Sequence, residues 1–409
     1  MFLFEGINCK KTTTVEEIKE TTEELVDMTL YMKQHRINFN NSDPVCCRQF
    51  SELLHANEEE LVDKIVSTYI KPSPIQSAAL PVVLSKRDVL CIAPTGSGKT
   101  LVYALGGLLN VYRNNHFDSK STKMLIIVPT KELMIQIKHY IQSYFDISTS
   151  TIDKLHTYKN VVLVSTPLIL LRAIENKQVE LDLDVLVIDE ADKLLNKQFI
   201  KDIQVIHKHL KTKQTIMTSA TFPQDLEVIA KMMMHDTVRI TVGNRSANSN
   251  ITQTLKYCGS KQGKLLELKN MVIEGIKPPL LVFVNDSDTA RKLYKSFKNE
   301  ILNVEVLHAY KTPQQRKMVM QRFKDGDIWV LITTDVLARG IDLEIALVVN
   351  YDVPIDHKTY IHRIGRTGRQ KKGHALTFYT DMDISKLKKI VNVMKESGNV
   401  VPDHLMQLK

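Results

Sequence analysis

Short apolar runs alternate with longer helical patterns through most of the chain. The first set of runs is rich in Val, Ile and Leu and comprises residues 88–92, 124–128, 161–164, 185–188 and 215–218. Strands that are apolar without alternation are buried on both faces, which is typical of a parallel sheet covered by helices. These runs therefore predict an α/β domain in the first half of the chain.

The same pattern starts again after a polar segment at residues 246–250, which is typical of a linker. The second set of runs comprises residues 280–284, 304–307, 329–333, 346–350 and 375–379. We therefore expect two α/β domains in tandem. The predicted organisation is an N-terminal extension over residues 1–44, a first domain over 45–243, a linker over 244–254, a second domain over 255–390 and a C-terminal extension over 391–409.

The N-terminal segment carries a different pattern. Its inner positions recur at three- and four-residue steps and are Val15, Ile18, Thr22, Leu25, Thr29 and Met32. Acidic residues lie between them, so the segment is predicted to form an amphipathic helix with an acidic outer face. The helix either docks on its own domain or binds a partner. The two threonines among its inner positions argue against a strong coiled coil.

Composition narrows the class of protein. Hydrophobic residues make up 43% and charged residues 25%, which excludes a disordered or collagen-like chain. The net charge of +9 permits a nucleic-acid partner without requiring one. The five cysteines form no C-x-x-C pair, and the apolar runs are far too short to span a membrane. We therefore expect an intracellular protein with free thiols and no membrane partner.

A glycine-rich loop follows the first predicted strand. The loop leads into a helix and consists of Ala93, Pro94, Thr95, Gly96, Ser97, Gly98, Lys99 and Thr100. Glycines let backbone N–H groups approach phosphate oxygens, and the following helix N-terminus adds partial positive charge. Lys99 is predicted to contact the β- and γ-phosphates, and Thr100 to ligate Mg²⁺. The usual pattern opens with Gly, and Ala93 takes that position here.

Acidic residues follow the strand at residues 185–188. Asp189, Glu190 and Asp192 are predicted to lie at the carboxyl edge of the sheet, where ligands of open α/β sheets bind. Asp189 would hold Mg²⁺, largely through water, and Glu190 would orient and deprotonate an attacking water. Taken alone, these acids are also compatible with a helix N-cap and first-turn charges, but the phosphate loop favours the catalytic interpretation.

Together, the loop and the sequence Asp-Glu-Ala-Asp at residues 189–192 resemble the DEAD-box ATP-dependent RNA helicases of superfamily two. Further motifs of that family follow in order over roughly residues 45–385. The resemblance implies two tandem RecA-like domains, each a mainly parallel sheet with helices on both faces. It also implies an RNA-dependent ATPase that uses ATP and Mg²⁺, binds single-stranded or short duplex RNA, and separates RNA duplexes locally.

The resemblance also implies roles for further nucleotide-site residues. Phe50 would stack on adenine, Gln76 would contact its edge, and Asp342 would contact the ribose. Without the resemblance, a core aromatic and a surface amide are the simpler interpretations of Phe50 and Gln76. Arg366 and Arg369 would act as arginine fingers on the γ-phosphate. Arginines at three-residue steps, beginning with Arg363, are predicted to share one face of a tight segment.

Coupling and RNA contacts are implied in the same way. The residues that would couple nucleotide state to unwinding are Asp192, Ser219, Thr221, His362 and Arg363. The residues that would contact RNA are Thr130, Lys131, Thr166, Arg316, Thr334, Arg339 and Gly340. These contacts would fall on phosphates and 2′-hydroxyls, so little base specificity is expected.

The first domain departs from the family pattern at its RNA motifs. Lys131 stands where the family usually has Arg, and Leu168 and Ile169 replace a Gly-Arg pair. No Gly-Gly occurs between Glu132 and Thr166. Since Lys lacks the bidentate fork of Arg, we expect weaker RNA contacts from this domain, while the nucleotide site is complete.

The flanks of the core give a finer resemblance. Residues 35–39 and 392–402 look like segments of the subgroup that acts in maturation of small-subunit ribosomal RNA. This implies a nucleolar location in the nucleus, pre-ribosomal partners and protein cofactors, and nothing in the sequence requires more than a monomer. Three alternatives stay open: an ATP-gated RNA clamp with little unwinding, a double-stranded DNA translocase, and a protein scaffold.

Overall fold

The structure is a computed structural model of the chain. It describes residues 27–55, 58–117, 119, 121–145, 147, 149–151, 160–195, 199–221, 224–243, 250–275, 277–298, 303–335, 343, 345–368 and 371–406. Most of the predicted N-terminal helix therefore lies outside the described residues, including Val15, Ile18, Thr22 and Leu25. Its last part, residues 27–35, is helical and forms α1. Tyr31 and Met32 of α1 pack on the first-domain core, as expected of a helix docked on its own domain.

The first sheet contains the strands of the first half of the described chain. They are β1 (Ile37–Asn40), β2 (Val89–Ile92), β3 (Thr122–Ile127), β4 (Thr149–Thr151), β5 (Val162–Ser165), β6 (Leu181–Ile188), β7 (Thr212–Ser219) and β8 (Val238–Val242). Their order across the sheet is β1-β8-β2-β7-β6-β3-β5-β4. The pairing is parallel except between β1 and β8, where Ile37 lies opposite Val242.

Helices cover both faces of this sheet. They are α2 (Glu59–Thr68), α3 (Pro74–Leu84), α4 (Lys99–Arg113), α5 (Lys131–Phe145), α6 (Pro167–Glu175), α7 (Ala191–Leu194), α8 (Ile200–His209) and α9 (Gln224–Met233), with a 3-10 turn at Phe50–Leu53. Met124 and Ile126 of β3 face one core, whereas Leu125 and Ile127 face the other. The absence of polar alternation in β3 therefore reflects burial on both faces.

A second sheet follows, in which every pairing is parallel. Its strands are β9 (Ile251–Tyr257), β10 (Leu280–Phe283), β11 (Val304–Leu307), β12 (Val330–Thr333), β13 (Leu347–Asn350) and β14 (Gly373–Tyr379), in the order β11-β12-β10-β13-β14-β9. Its helices are α10 (Lys261–Ile273), α11 (Ser287–Lys298), α12 (Pro313–Lys324), α13 (His357–Ile364), α14 (Ile384–Glu396) and α15 (Asp403–Met406), with a 3-10 turn at Asp381–Asp383.

The fold class predicted from the apolar runs is confirmed: all ten predicted runs overlap strands of two α/β units. The sequence pattern missed β1, β4, β8 and β9. Residues 37–40, ascribed to the N-terminal extension, form the edge strand of the first sheet. Residues 251–254, ascribed to the linker, belong to β9, which alternates between buried and exposed positions as an edge strand does. Residues 391–396, ascribed to the C-terminal extension, continue α14.

Nowhere among the described residues is there a helix with both the length and the apolar character needed to cross a membrane.

Candidate nucleotide and RNA site

The phosphate loop lies at the carboxyl end of a central strand. It connects β2 to α4, and its first residue, Ala93, donates its N–H to the carbonyl of Ser219 at the end of β7 at 3.1 Å. Gly96 and Gly98 have φ values of +78° and +94°. Only glycine adopts this left-handed conformation without strain, so the two glycines shape the loop.

The side chains of Ser73 and Gln76 form hydrogen bonds to the backbone of the loop. The hydroxyl of Ser73 donates to the carbonyl of Ser97 at 2.7 Å, and Nε2 of Gln76 donates to the carbonyl of Gly98 at 3.0 Å. Oε1 of Gln76 in turn accepts from the backbone N–H of Ser73 at 2.8 Å. Gln76 is buried against the loop rather than exposed. Sequence reasoning missed Ser73, although its three-residue spacing from Gln76 before a helix is the signal of a capping box.

Lys99 and Thr100 begin α4 directly after the loop. Nζ of Lys99 donates to the carbonyls of Ala93 and Pro94 at 2.6 and 2.8 Å. Burial lowers the pKa of Lys99, while nearby carboxylates, chiefly Asp189, oppose that shift. The ammonium therefore lies in the concave side of the loop, within reach of a group bound there.

Asp189 is a buried carboxylate with three donors around it. Oδ1 accepts from the N–H of Glu190 at 2.9 Å and from the hydroxyl of Thr218, and Oδ2 accepts from the hydroxyl of Tyr103 at 3.0 Å. Burial raises the pKa of Asp189. Thr218 and Tyr103 carry no motif, and sequence reasoning missed both. Carboxylate and hydroxyl oxygens are ligands that Mg²⁺ prefers. A carboxylate accepts about four hydrogen bonds, so the three donors leave Asp189 able to accept one more, from a water molecule.

Glu190 follows in a left-handed backbone conformation, with φ of +51°. Its Oε2 lies 2.7 Å from Nζ of Lys193, and both side chains are largely buried. Burial opposes ionisation of Glu190, but the positive charges of Lys193, His362 and Arg366 prevail and lower its pKa to about 2. Sequence reasoning did not single out Lys193.

Asp192 connects the two α/β units. Its Oδ2 accepts from the hydroxyl of Thr221 at 2.6 Å and from the Thr221 N–H at 3.2 Å. The same oxygen lies 3.4 Å from Nε2 of His362, which belongs to the second unit. Ser219 supports the turn, because its hydroxyl donates to the carbonyl of Thr221 at 2.6 Å. Burial and Lys193 lower the pKa of His362.

The second unit also contacts the phosphate loop directly. The hydroxyl of Thr95 donates to the carbonyl of Gly365 at 3.4 Å, and a Cβ added to Gly365 would lie 1.8 Å from Oγ1 of Thr95. The next residue, Arg366, is buried and close enough to Glu190 for its charge to lower the Glu190 pKa. The glycine thus lets the segment that carries Arg366 approach the loop.

Arg363 and Arg366 line the same small cavity, as the expected row of arginines implies, but the guanidinium of Arg363 is held by contacts within the second unit. Helix α13 ends at Ile364, and Arg363 points into the second unit, where Nε and Nη2 pair with the carboxylate of Asp335 at 2.6 and 2.8 Å. It also donates to the side chain of Asn285 and to the carbonyl of Asp352. Its direct contacts are therefore structural, within the second unit. Arg369 lies outside the described residues.

Four residues proposed to contact RNA closely follow the carboxyl ends of strands: Thr130, Lys131, Thr166 and Thr334. Thr130 caps α5, accepting from the N–H of Leu133 at 3.3 Å, and Lys131 beside it is exposed. Thr166 precedes α6, and Thr334 follows β12. Nη1 of Arg316 lies 3.7 Å from Oε1 of Glu132 in the first unit.

Several expectations from the sequence are not tested by the described residues. Phe50 is only 3% exposed and packs in the first-domain core, so a stack of its ring on adenine stays a prediction. Arg339, Gly340 and Asp342 lie outside the described residues. Within the described part of the chain, no group of three or more His, Cys, Asp or Glu side chains is arranged to hold a metal ion directly.

Comparison with known proteins identifies the family. Residues 73–229 match the DEAD/DEAH box helicase family, and residues 263–371 match the helicase conserved C-terminal domain. The chain is 40% identical over 407 residues to the ATP-dependent RNA helicase ROK1 of Meyerozyma guilliermondii, covering 93% of this chain and 75% of that protein. It is 39% identical over 404 residues to the ATP-dependent RNA helicase CHR1 of Candida albicans, covering 92% of this chain and 69% of that protein.

The fold is also similar to that of a solved structure. Saccharomyces cerevisiae Dbp5 bound to RNA and ADP–BeF₃ superposes with a TM-score of 0.78 at 30% identity, covering 87% of this chain and 95% of that one. The helicase names of the relatives do not favour a clamp, a DNA translocase or a scaffold. The protein is an ATP-binding, RNA-dependent ATPase. The chain belongs to the DEAD-box ATP-dependent RNA helicases.

Proposed function

We propose that one ATP binds between the two domains, that its binding closes a single RNA site across them, and that its hydrolysis reopens that site. The observation that carries this proposal is the position of Asp192, which accepts from Thr221 of the first domain and contacts His362 of the second. A carboxylate beside the phosphate loop that touches both domains can transmit the state of the nucleotide to their relative position.

In this proposal the phosphate loop, Lys99 and the N-terminus of α4 bind the phosphates. Lys99 exchanges its contacts with the carbonyls of Ala93 and Pro94 for phosphate oxygens, a stronger interaction because both partners are charged. Thr100 and Asp189 hold Mg²⁺, which when bound neutralises phosphate charge. The donors around Asp189 favour contact through water.

Glu190 orients and deprotonates the attacking water. Its low pKa keeps it ionised. The Lys193 ammonium contacts Oε2, so this contact has to weaken when Oε2 accepts a proton. Arg366, and Arg369 as the resemblance implies, stabilise the charge on the γ-phosphate. Arginine fingers contribute about 10³–10⁵ in rate in related phosphoryl transfers.

Closure also brings the proposed RNA contacts together. Arg316 of the second domain faces Glu132 of the first, next to Lys131, so phosphates of one strand can be held by both domains. A strand held in a bent path cannot stay in a duplex, and each lost base-pair step costs about 1.4 kcal/mol by the value for DNA stacking. Separation of a few steps is therefore within reach of ATP binding.

For the cellular role we propose maturation of small-subunit ribosomal RNA, in the nucleolus, as a monomer with pre-ribosomal partners. The resemblance of residues 35–39 and 392–402 to that subgroup supports the proposal. Depletion of the protein should cause precursors of small-subunit RNA to accumulate, and the protein should cross-link to them. Normal levels of those precursors after depletion would contradict this role.

The proposed nucleotide site is tested by ATP hydrolysis with and without single-stranded RNA, for the wild type and for Glu190→Gln. Loss of a positioned general base should slow hydrolysis by about 10²–10⁴. Binding of a fluorescent ATP analogue should persist in the variant, because the phosphate loop is unchanged. Hydrolysis by Glu190→Gln at the wild-type rate would remove Glu190 from the mechanism.

A further inference from the structure

Tyr310 is an aromatic side chain displayed on a rigid loop of the second domain. The loop follows the carboxyl end of β11 and precedes α12. The side chain is 67% exposed, a high value for an aromatic ring that has no role in packing the core. Its ring is in contact with two cationic or polarisable groups: the Arg291 guanidinium lies 5.9 Å from the ring centroid, and the His308 ring lies 5.7 Å away, inclined at 60°.

Arg316 fixes the loop on both sides of Tyr310. Its Nη2 donates to the carbonyl of Ala309 at 2.7 Å, and its Nε donates to the carbonyl of Lys311 at 3.0 Å. These are the residues directly before and after Tyr310. Thr312 then starts α12 with a reciprocal cap, in which its hydroxyl accepts from the N–H of Gln315 and its own N–H donates to the Gln315 side chain. The ring is therefore held in place before any partner arrives, which lowers the entropy cost of binding.

The loop faces the first domain through the same arginine. Nη1 of Arg316 lies 3.7 Å from Oε1 of Glu132, which follows Lys131. Tyr310 is thus separated by only a few residues from a contact that joins the proposed RNA elements of the two domains.

The helices on either side of the loop suit a polyanion. Helix α11 carries four basic residues and one acidic residue, and α12 carries four basic residues and no acidic one. An exposed aromatic ring between basic helices is the combination that single-strand binding proteins use, in which cations bind the backbone and the ring stacks on a base.

We propose that the Tyr310 ring stacks on a base of the RNA strand bound across the two domains. This rests on the proposed RNA path through Arg316. The stack adds an interaction that does not depend on phosphate charge. The first domain of this chain has Lys131 where the family usually has Arg, and Leu168 and Ile169 where the family has a Gly-Arg pair. Because every base has an aromatic face, the contact strengthens binding without selecting a sequence.

The test measures binding of fluorescein-labelled decauridine by anisotropy, in the presence of Mg²⁺ and ADP–BeF₃. Tyr310→Ala should weaken binding by about five- to a hundredfold, the range for loss of one base–aromatic stack. Tyr310→Phe keeps the ring and should stay within about twofold of the wild type. Trp329→Ala is the matched control, because Trp329 is also exposed, at 51%, but precedes β12 at the amino ends of the parallel strands, whereas Tyr310 follows the carboxyl end of the neighbouring β11.

Three readouts separate stacking from charge. Tyr310→Ala should leave the slope of log affinity against log salt unchanged, whereas Arg316→Ala should reduce its magnitude by roughly 0.7, the value for one phosphate on a single strand. With 2-aminopurine placed at successive positions of the RNA, one position should be quenched by the wild type and by Tyr310→Phe but not by Tyr310→Ala. An abasic nucleotide at that position should weaken the wild type and have little further effect on Tyr310→Ala.

The outcomes distinguish this proposal from the RNA path on which it rests. If Arg316→Ala weakens binding and Tyr310→Ala does not, the stack is wrong and the path stands. If neither variant changes affinity, the path itself is wrong. If Tyr310→Phe is as weak as Tyr310→Ala, the hydroxyl rather than the ring makes the contact, which also overturns stacking.

Discussion

The ammonium of Lys193 lies 2.7 Å from the carboxylate of Glu190, three residues before it on the same turn. Their side chains are 13% and 17% exposed, so the pair is largely screened from water. The backbone of Glu190 is left-handed, and its side chain is close enough to His362 and Arg366 of the second domain for both to lower its pKa. The proposed general base is thus held by an ion pair with a residue outside the family motif.

Replacement of Lys193 by Met should make hydrolysis more sensitive to acid. The pKa of Glu190 is lowered to about 2, and burial, the largest single influence on it, acts in the opposite direction. Without Lys193 the pKa should therefore rise, and the active carboxylate should be lost at a higher pH as the solution is acidified. The measurement is kcat/KM for ATP against pH.

In the wild type, protonation of Glu190 should not lower kcat/KM above about pH 5. In Lys193→Met, kcat/KM should decline as the pH falls through the raised pKa of Glu190. Lys193→Arg retains the charge and should follow the wild type. Superimposable profiles for Lys193→Met and the wild type would show that Lys193 does not control the charge of Glu190.

Replacement of Gly98 by Ala should weaken ATP binding. A Cβ at this position would lie 2.3 Å from Nε2 of Gln76, in addition to the strain of φ at +94°. The Gln76 amide would have to leave its hydrogen bond to the loop, and the strained backbone at position 98 would favour another loop conformation, so the affinity for ATP should fall about tenfold. Gly326→Ala is the control, since φ is +85° there but nothing lies within 4 Å of the added atom.

Gly326→Ala should cost only about 1 kcal/mol of stability and leave ATP binding unchanged. Isothermal titration with a non-hydrolysable ATP analogue compares the two variants. Equal affinities would mean that Gln76 does not constrain the loop.

Replacement of Thr221 by Val should separate ATP hydrolysis from unwinding. The variant loses the 2.6 Å hydrogen bond to Asp192, while the residues that contact phosphate are unchanged. A hydrogen bond to a charged group contributes about 1.5–3 kcal/mol, so strand separation per ATP hydrolysed should fall at least about tenfold. The assay follows release of a short RNA strand and phosphate in one reaction.

Thr221→Ser keeps the hydroxyl and should retain coupling. If Val and Ser variants unwind equally well for each ATP, the contact between Asp192 and Thr221 does not couple the two processes.

Replacement of Arg363 by Ala should destabilise the second domain. The change leaves the carboxylate of Asp335 without its bidentate partner and removes donors to Asn285 and the carbonyl of Asp352. Arg363 is buried but Asp335 is 30% exposed, so water can partly solvate the carboxylate, and the loss should be about 2–3 kcal/mol, below the range for a fully buried pair. Chemical denaturation followed by the fluorescence of Trp329, which lies in that domain, measures the change.

Arg316→Ala removes an arginine on the same domain that is 27% exposed, and it should cost less than Arg363→Ala because water can replace its hydrogen bonds to the loop. Equal losses for the two variants would argue against a buried structural role for Arg363.

The sequence alone determined the features that depend on neighbouring residues. The apolar runs predicted ten strands and burial on both faces, as β3 illustrates with its alternate residues in two cores. The glycines at 96 and 98 predicted a phosphate loop, because a positive φ is a local requirement. The acids after residues 185–188 were expected at the edge of the sheet, where β6 ends.

Only the tertiary structure decided which side chains meet. Three-residue spacing suggested one row of arginines, and Arg363 and Arg366 do line one cavity, but Arg363 pairs with Asp335 within the second domain while Arg366 approaches Glu190. Tyr103 and Thr218 reach Asp189 from distant parts of the chain, and β1 pairs with β8 across about two hundred residues. Backbone conformation and burial pattern follow from short-range sterics and hydrophobicity, whereas such contacts depend on long-range packing, which no local spacing records.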